Sequence, residues 1–175
     1  PERTRSFFGS ERGFKPQDTT VIVEELKLDF KNDDLRFFAG KFNPSFGKAY
    51  RKKNRIGVFS TDITEDYQLR EKIGAGVAAV LDSSKITLNT FFNDTTGLSG
   101  SINGRDTESR DNGLAGNTGA FSSYTLTMEG DRFFGIGNWS YNIGYRSLGI
   151  DTSTENRARE TGYVLGSQYS YKTSY

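Results

Sequence analysis

Asn138-Trp139-Ser140-Tyr141-Asn142-Ile143-Gly144-Tyr145-Arg146 alternates residue by residue. Trp139, Tyr141, Ile143 and Tyr145 fall in one set. Asn138, Ser140, Asn142, Gly144 and Arg146 fall in the other. Successive side chains of a β-strand point to opposite sides, so this period of two predicts a strand with one aromatic face and one amide-rich face. The same pattern recurs upstream: Ile86, Leu88, Thr90 and Phe92 alternate with Thr87, Asn89, Phe91 and Asn93. A water-soluble sheet shows this alternation when its apolar face packs on a core. A membrane-spanning barrel shows it when that face meets lipid and the other lines a wet lumen.

Working outward, the periodicity predicts about seven strands. They cover roughly 20–31, 35–42, 69–81, 85–94, 122–129, 133–147 and 161–172. Leu26, Leu28 and Phe30 share a face in the first, and Ile73, Ala75, Val77, Ala79 and Leu81 in the third. Tyr124, Leu126 and Met128 do so in the fifth, and Tyr163, Leu165, Tyr169 and Tyr171 in the seventh. Tight turns are expected at Asn32-Asp33-Asp34, Asp82-Ser83-Ser84 and Gly130-Asp131, where Asn, Asp and Gly tolerate left-handed backbone. Long connections are expected at about 43–68, 95–121 and 148–160, with 1–19 as a further loop on their side. Short and long thus alternate strictly, as in outer-membrane barrels with short periplasmic turns and long exterior loops. Long structureless loops are uncommon in compact soluble domains unless they serve a function.

Composition narrows the function classes. Mean hydropathy is −0.64, and the longest apolar run, Ala75 to Leu81, is far too short for a spanning helix. The chain has neither Cys nor His, which removes disulfides, thiolate metal sites, His-bound zinc and His-based triads. No Ser has a His base to activate it, so no enzyme is expected. A net charge of +1 argues against a basic nucleic-acid binder. The acidic group Asp106, Glu108 and Asp111-Asn112-Gly113 lacks EF-hand spacing, so neither a metal nor a cofactor is expected.

Two groups of residues stand out. The first is the polar strand face: Glu25, Lys27, Asp29, Lys72, Asn89, Asn93, Asn138, Asn142, Arg146 and Gln168. In a barrel these line the pore; in a soluble sheet they are the solvent face. Arg36 and Lys41 cannot both join them, because their separation is odd. The second is the loop after Pro44, with Lys48, Arg51, Lys52, Lys53, Arg55, Asp62, Glu65 and Asp66. Folded inward, these charges would narrow the pore and set a transverse field across it. Left outside, they form a solvated loop that touches lipopolysaccharide phosphates.

The run Phe37-Phe38-Ala39-Gly40-Lys41-Phe42-Asn43-Pro44-Ser45-Phe46-Gly47 resembles a strand-to-loop segment of bacterial outer-membrane porins, in the group related to phosphate-selective porins O and P. The run Thr61 to Gly74 is similar to the same group, and the likeness is best between Val21 and Asp94. It implies passive passage of small hydrophilic solutes or ions, usually through homotrimers in outer-membrane lipid. No arginine ladder lines the predicted lumen, so phosphate selectivity does not carry over. The expectation is therefore an all-β, antiparallel transmembrane β-barrel, a single partial domain over 1–175 that belongs to a larger barrel. An exterior start and an odd strand count suggest a preceding strand. The rival readings are a non-transporting outer-membrane anchor or adhesin and a soluble β-sandwich binding module.

Overall fold

A computed structural model describes residues 21–48, 67–102, 106–107, 115–132, 138–150 and 159–171. Within them the strands are β1 (Val21–Ile22), β2 (Leu26–Lys31), β3 (Leu35–Phe42), β4 (Lys72–Leu81) and β5 (Ser84–Asn93). They continue with β6 (Ser101–Ile102), β7 (Ser123–Gly130), β8 (Trp139–Leu148) and β9 (Glu160–Tyr169). The only helical element there is a 3-10 turn at Gly97–Ser99. The protein is all-β.

Seven strands form one antiparallel sheet in the order β2-β3-β4-β5-β7-β8-β9, each beside its sequence neighbour in the sheet. The sheet is open, with β2 and β9 as its edges. Because the strands meander, the connections 43–71, 94–122 and 149–159 leave from one end. Those at 32–34, 82–83 and 131–138 leave from the other.

The structure adjusts several expected boundaries. The first strand breaks at Val23-Glu24-Glu25, and β1 leaves the sheet to pair with β6 instead. The tight turn expected at Gly130-Asp131 is the longer connection 131–138, and β8 starts at Trp139 rather than near Phe133; 133–137 lie outside the described residues. Leu69 is not a strand residue, since β4 starts at Lys72. The Asp82-Ser83 turn is as tight as expected: Leu81 pairs with Ser84, and Asp82 takes a left-handed φ of 51°, which Asp tolerates better than most residues.

Register sorts the side chains into two faces, because cross-strand partners point the same way. One face carries Leu28, Phe30, Phe37, Val77, Leu88, Leu126, Ile143 and Leu165. The other carries Asp29, Arg36, Asn89, Thr125, Thr127, Asn142 and Arg146. Burial is the reverse of what water would impose. Leu28 is 68% and Leu165 79% exposed. The buried apolar side chains, Phe42, Phe46, Leu69, Ala78, Phe91 and Leu148, lie on the polar face or in segments that cover it.

Two glycines on the polar face of β4 leave room for the strands on either side. A Cβ on Gly74 would lie 2.2 Å from the Thr90 carbonyl oxygen, and one on Gly76 2.3 Å from the Phe38 ring. The first contact is with backbone and cannot swing away. Gly74→Ala should therefore destabilise the sheet by about 1–3 kcal/mol. Gly97→Ala, with nothing within 4 Å of the new methyl, should stay within about 0.5 kcal/mol. Equilibrium denaturant titrations of the two variants give the comparison.

Candidate functional site

The chain leaves β3 at Phe42 and, instead of turning outward, runs back across the polar face. Residues 43–48 cross over β5, β7, β8 and β9. Each contact has a local cause. Pro44 has no N–H to satisfy and is fully buried. Ser45 Oγ lies 3.1 Å from Thr127 Oγ1 and accepts from Asn89 Nδ2 at 3.3 Å. Asn89 also donates to Thr125 Oγ1 at 2.8 Å. A threonine and an amide on adjacent strands thus grip one loop hydroxyl, and a second threonine holds the amide.

Phe46 is the segment's apolar anchor. It packs with Phe91, Leu69 and Leu148, and with Tyr67, Ala115 and Val164 at the edge of the cluster. Tyr67 meets it edge-on at 6.0 Å between centroids. The Arg146 guanidinium sits 4.9 Å from the ring centroid and donates to the Tyr67 carbonyl at 2.7 Å and to Glu160. One arginine thus holds the incoming and the returning arm of the loop against the sheet. Gly144 leaves room for this, since a Cβ there would lie 2.7 Å from Val164 and 3.5 Å from Phe46. Gly47 turns the chain at a φ of 78°, a conformation open to glycine. Lys48 then pairs with Glu129 at 2.8 Å, and Lys85 reaches the same carboxylate at 3.3 Å.

Lys27, Asp29, Lys72, Asn89, Asn93, Asn142, Arg146 and Gln168 all fall on the face that 43–48 crosses. Asn93 and Asn142 are buried with Asn89 beneath covering chain, whereas Asp29 and Gln168 lie open. Glu25 precedes β2; its carboxylate accepts from Lys27 and from Asn43. Asn138 lies just before β8, and its carbonyl accepts from the Ser170 N–H. Of the loop charges, Lys48 is described; Arg51, Lys52, Lys53, Arg55, Asp62, Glu65 and Asp66 lie outside the described residues. Asp106 is exposed, while Glu108 and 111–113 lie outside them.

The choice between Arg36 and Lys41 resolves in favour of Arg36. Arg36 sits on the polar face, forks onto Asp29 and overlies the Phe38 ring at 5.4 Å. Sequence reasoning missed Ser45 and Phe46 as contacts, and Glu129 as the acid for Lys48. The signal for Phe46 was present: a bulky ring between Pro44 and Gly47, directly after a strand, needs somewhere to go.

Two features of this surface bear on chemistry. Asn89 and Asn142 are buried, yet their Oδ1 atoms find no protein donor among the described residues. Buried amide oxygens of this kind are ordinarily met by water. The open part of the face, at the short-connection end, holds cations and acids in contact: Arg36 on Asp29, and Lys48 and Lys85 on Glu129. This surface can hydrate and orient a small polar solute.

Neither a protein-family model, nor a characterised protein, nor a solved structure matches this chain.

Removing the Phe46 ring should unseat the segment. Phe→Ala substitutions at buried sites cost about 3–5 kcal/mol, and here the loss falls first on the local attachment. In a Ser45→Cys background, Phe46→Ala should sharply raise the labelling rate with a water-soluble thiol reagent. An unchanged rate would mean that the ring does not hold the segment down.

Proposed function

We propose that the sheet is a sector of wall in a porin-like outer-membrane β-barrel, through which small hydrophilic solutes or ions diffuse passively. The observation that carries this reading is the inverted burial. Protein chain covers much of the polar face, and the apolar face stays bare on all seven strands of the main sheet except at the long-connection rim, where Lys41 and Ser147 are buried. A soluble sandwich does the opposite, because exposed apolar surface is unfavourable in water at about 25 cal/mol per Å². Lipid removes that penalty, since its tails are as apolar as Leu.

The arrangement of the bare face supports the same reading. Towards the short-connection end, Trp139 and Tyr169 meet at 5.3 Å. Nearer the long connections, Tyr124, Tyr145 and Tyr163 form a chain of rings at 5.8 and 5.1 Å. Ile143, Met128 and Leu165 lie between the two groups. Aromatic girdles around an aliphatic band are how barrels meet the two membrane interfaces. Strands of ten residues, such as β4, β5, β8 and β9, match the roughly 9–11 residues of a tilted crossing.

In this reading the segment 43–48 is a constriction. It narrows the lumen at mid-height and leaves a charged, hydrated passage beside Asp29, Arg36, Lys48, Lys85 and Glu129. Closing the barrel joins β2 to β9, directly or through further strands. The outer membrane of a bacterium is the setting, lipid and lipopolysaccharide are the surroundings, and a homotrimer is the expected assembly.

Single-channel recording in planar bilayers tests transport itself. Discrete, ohmic conductance steps are expected; a folded, inserted protein that never conducts would leave the wall as an anchor. The lipid-facing assignment has its own test. Leu165→Arg should cost about 2–4 kcal/mol in equilibrium folding into vesicles. In a water-soluble protein the same exposed substitution would stay within about 0.5 kcal/mol. Paired labelling adds the parity: Cys at Lys27 and Gln168 should react with a water-soluble reagent, and Cys at Ile143 and Leu165 with a lipid-soluble one.

A further inference from the structure

Lys41 is one of the most deeply buried side chains described, at 2% exposure. The register places it on the apolar side of β3, beside Leu26 and Ile73, at the end from which the long connections leave. Its ammonium, with three N–H donors, sits between two carboxylates and one carbonyl. Nζ lies 2.9 Å from Asp94 Oδ2 and 3.0 Å from Glu71 Oε2, and donates to the Leu98 carbonyl at 2.5 Å.

These acceptors come from two loops, and they form a closed circuit. Asp94 Oδ1 accepts from the Thr96 N–H at 2.9 Å and from Thr96 Oγ1 at 2.6 Å. Thr96 Oγ1 accepts from the Leu98 N–H at 3.2 Å, and Leu98 returns its carbonyl to Lys41. The 3-10 turn Gly97–Ser99 is therefore wound around the ammonium. Glu71 ties in the other loop. It takes a φ of 51°, unusual for a residue with a Cβ, and its N–H donates to Asn43 Oδ1 at 2.8 Å. Asn43 is the first residue of the segment that crosses the polar face, and Glu71 is the last residue before β4.

We propose that Lys41 is the positioning residue of segment 43–48. Its ammonium clamps the exit of the 43–71 loop through Glu71, and Glu71 fixes the loop's entry through Asn43. The clamp itself is braced against the next loop by Asp94 and Leu98. The segment leaves the rim two residues after Lys41, so the clamp sets the angle at which it enters the polar face. A buried ion pair contributes little to net stability, yet removing one partner is strongly destabilising because the other charge is left unpaired. That asymmetry suits a hinge that must stay in one position. In the channel reading, loss of the clamp lets the constriction swing; the anchoring itself does not depend on that reading.

The test uses the Ser45→Cys labelling rate, with Gln168→Cys on the distant edge strand as reference. Lys41→Met should raise labelling at Ser45→Cys by roughly tenfold or more, as when local opening governs access, and leave Gln168→Cys unchanged. Phe46→Ala added to Lys41→Met should give little further increase, because one event releases the whole segment. Should Lys41→Met fail to fold, Asp94→Asn and Glu71→Gln, which keep size and remove charge, carry the same comparison. An equal rise at both cysteines, a fully multiplicative effect of Phe46→Ala, or an unchanged Ser45→Cys rate in every folded clamp variant overturns the proposal. Bilayer recordings of the same variants separate the two ideas. Clamp-dependent labelling in a protein that never conducts keeps the anchor and removes the channel. Conductance without clamp dependence of labelling does the reverse.

Discussion

The strict two-residue period of the strands is the constraint on which the rest depends. A sheet satisfies its backbone groups laterally, so both faces are left for the side chains to assign. Here that assignment runs through all seven strands. Phe30–Phe37, Phe37–Val77, Val77–Leu88, Leu88–Leu126, Met128–Ile143 and Ile143–Leu165 keep apolar partners together. Asn89–Thr125 and Thr125–Arg146 keep polar partners together. Shifting one strand by one residue would put Leu126 against Asn89 and Thr127 against Leu88. Register is therefore fixed by chemistry on both faces at once.

Given two faces of such different character, the chain had to cover one of them, and it covers the polar one. The consequence is a core of unusual make-up. Phe46, Leu69, Phe91 and Leu148 form an apolar cluster within a field of Asn, Ser and Thr. Burying the Phe46 side chain is worth about 1.5–3 kcal/mol, too little alone to hold residues 43–48, whose backbone entropy costs about 1–2 kcal/mol per residue. Hydrogen bonds from Asn89 and Thr127, the Arg146 contacts to Tyr67 and Glu160, and the Lys48–Glu129 pair add to it. Attachment is thus distributed, with one greasy anchor and several polar ones.

Much of this was legible in the sequence because alternation is local. The strands, their faces and the side from which the long connections leave follow from period and turn residues alone. What was not legible depended on partners distant in the chain. Val23-Glu24-Glu25 reads as a continuation of the first strand, but β1 finds β6 instead, some eighty residues away. The odd separation of Arg36 and Lys41 showed that they must diverge. It did not show which of them finds Asp29 and which is buried against Asp94. Phe46 belonged to a segment singled out for its charges, and its ring supplies the apolar anchor. Glu129 ends a predicted strand, and nothing nearby points to Lys48.

The two lysines flanking the inserted segment illustrate how environment, rather than residue type, assigns a role. Lys48 is about a third exposed and shares its carboxylate with Lys85. Such a pair is screened by water and salt, exchanges partners readily and contributes little to stability. Lys41 is buried against Asp94 and Glu71, and its release would leave the buried Asp94 carboxylate without a cation. In the proposed channel the first arrangement would suit a surface past which charged solutes move, because contacts there can be made and broken. The second suits a fixed point, so a segment rooted at Lys41 keeps its place across the polar face while Lys48 at its far end can exchange partners.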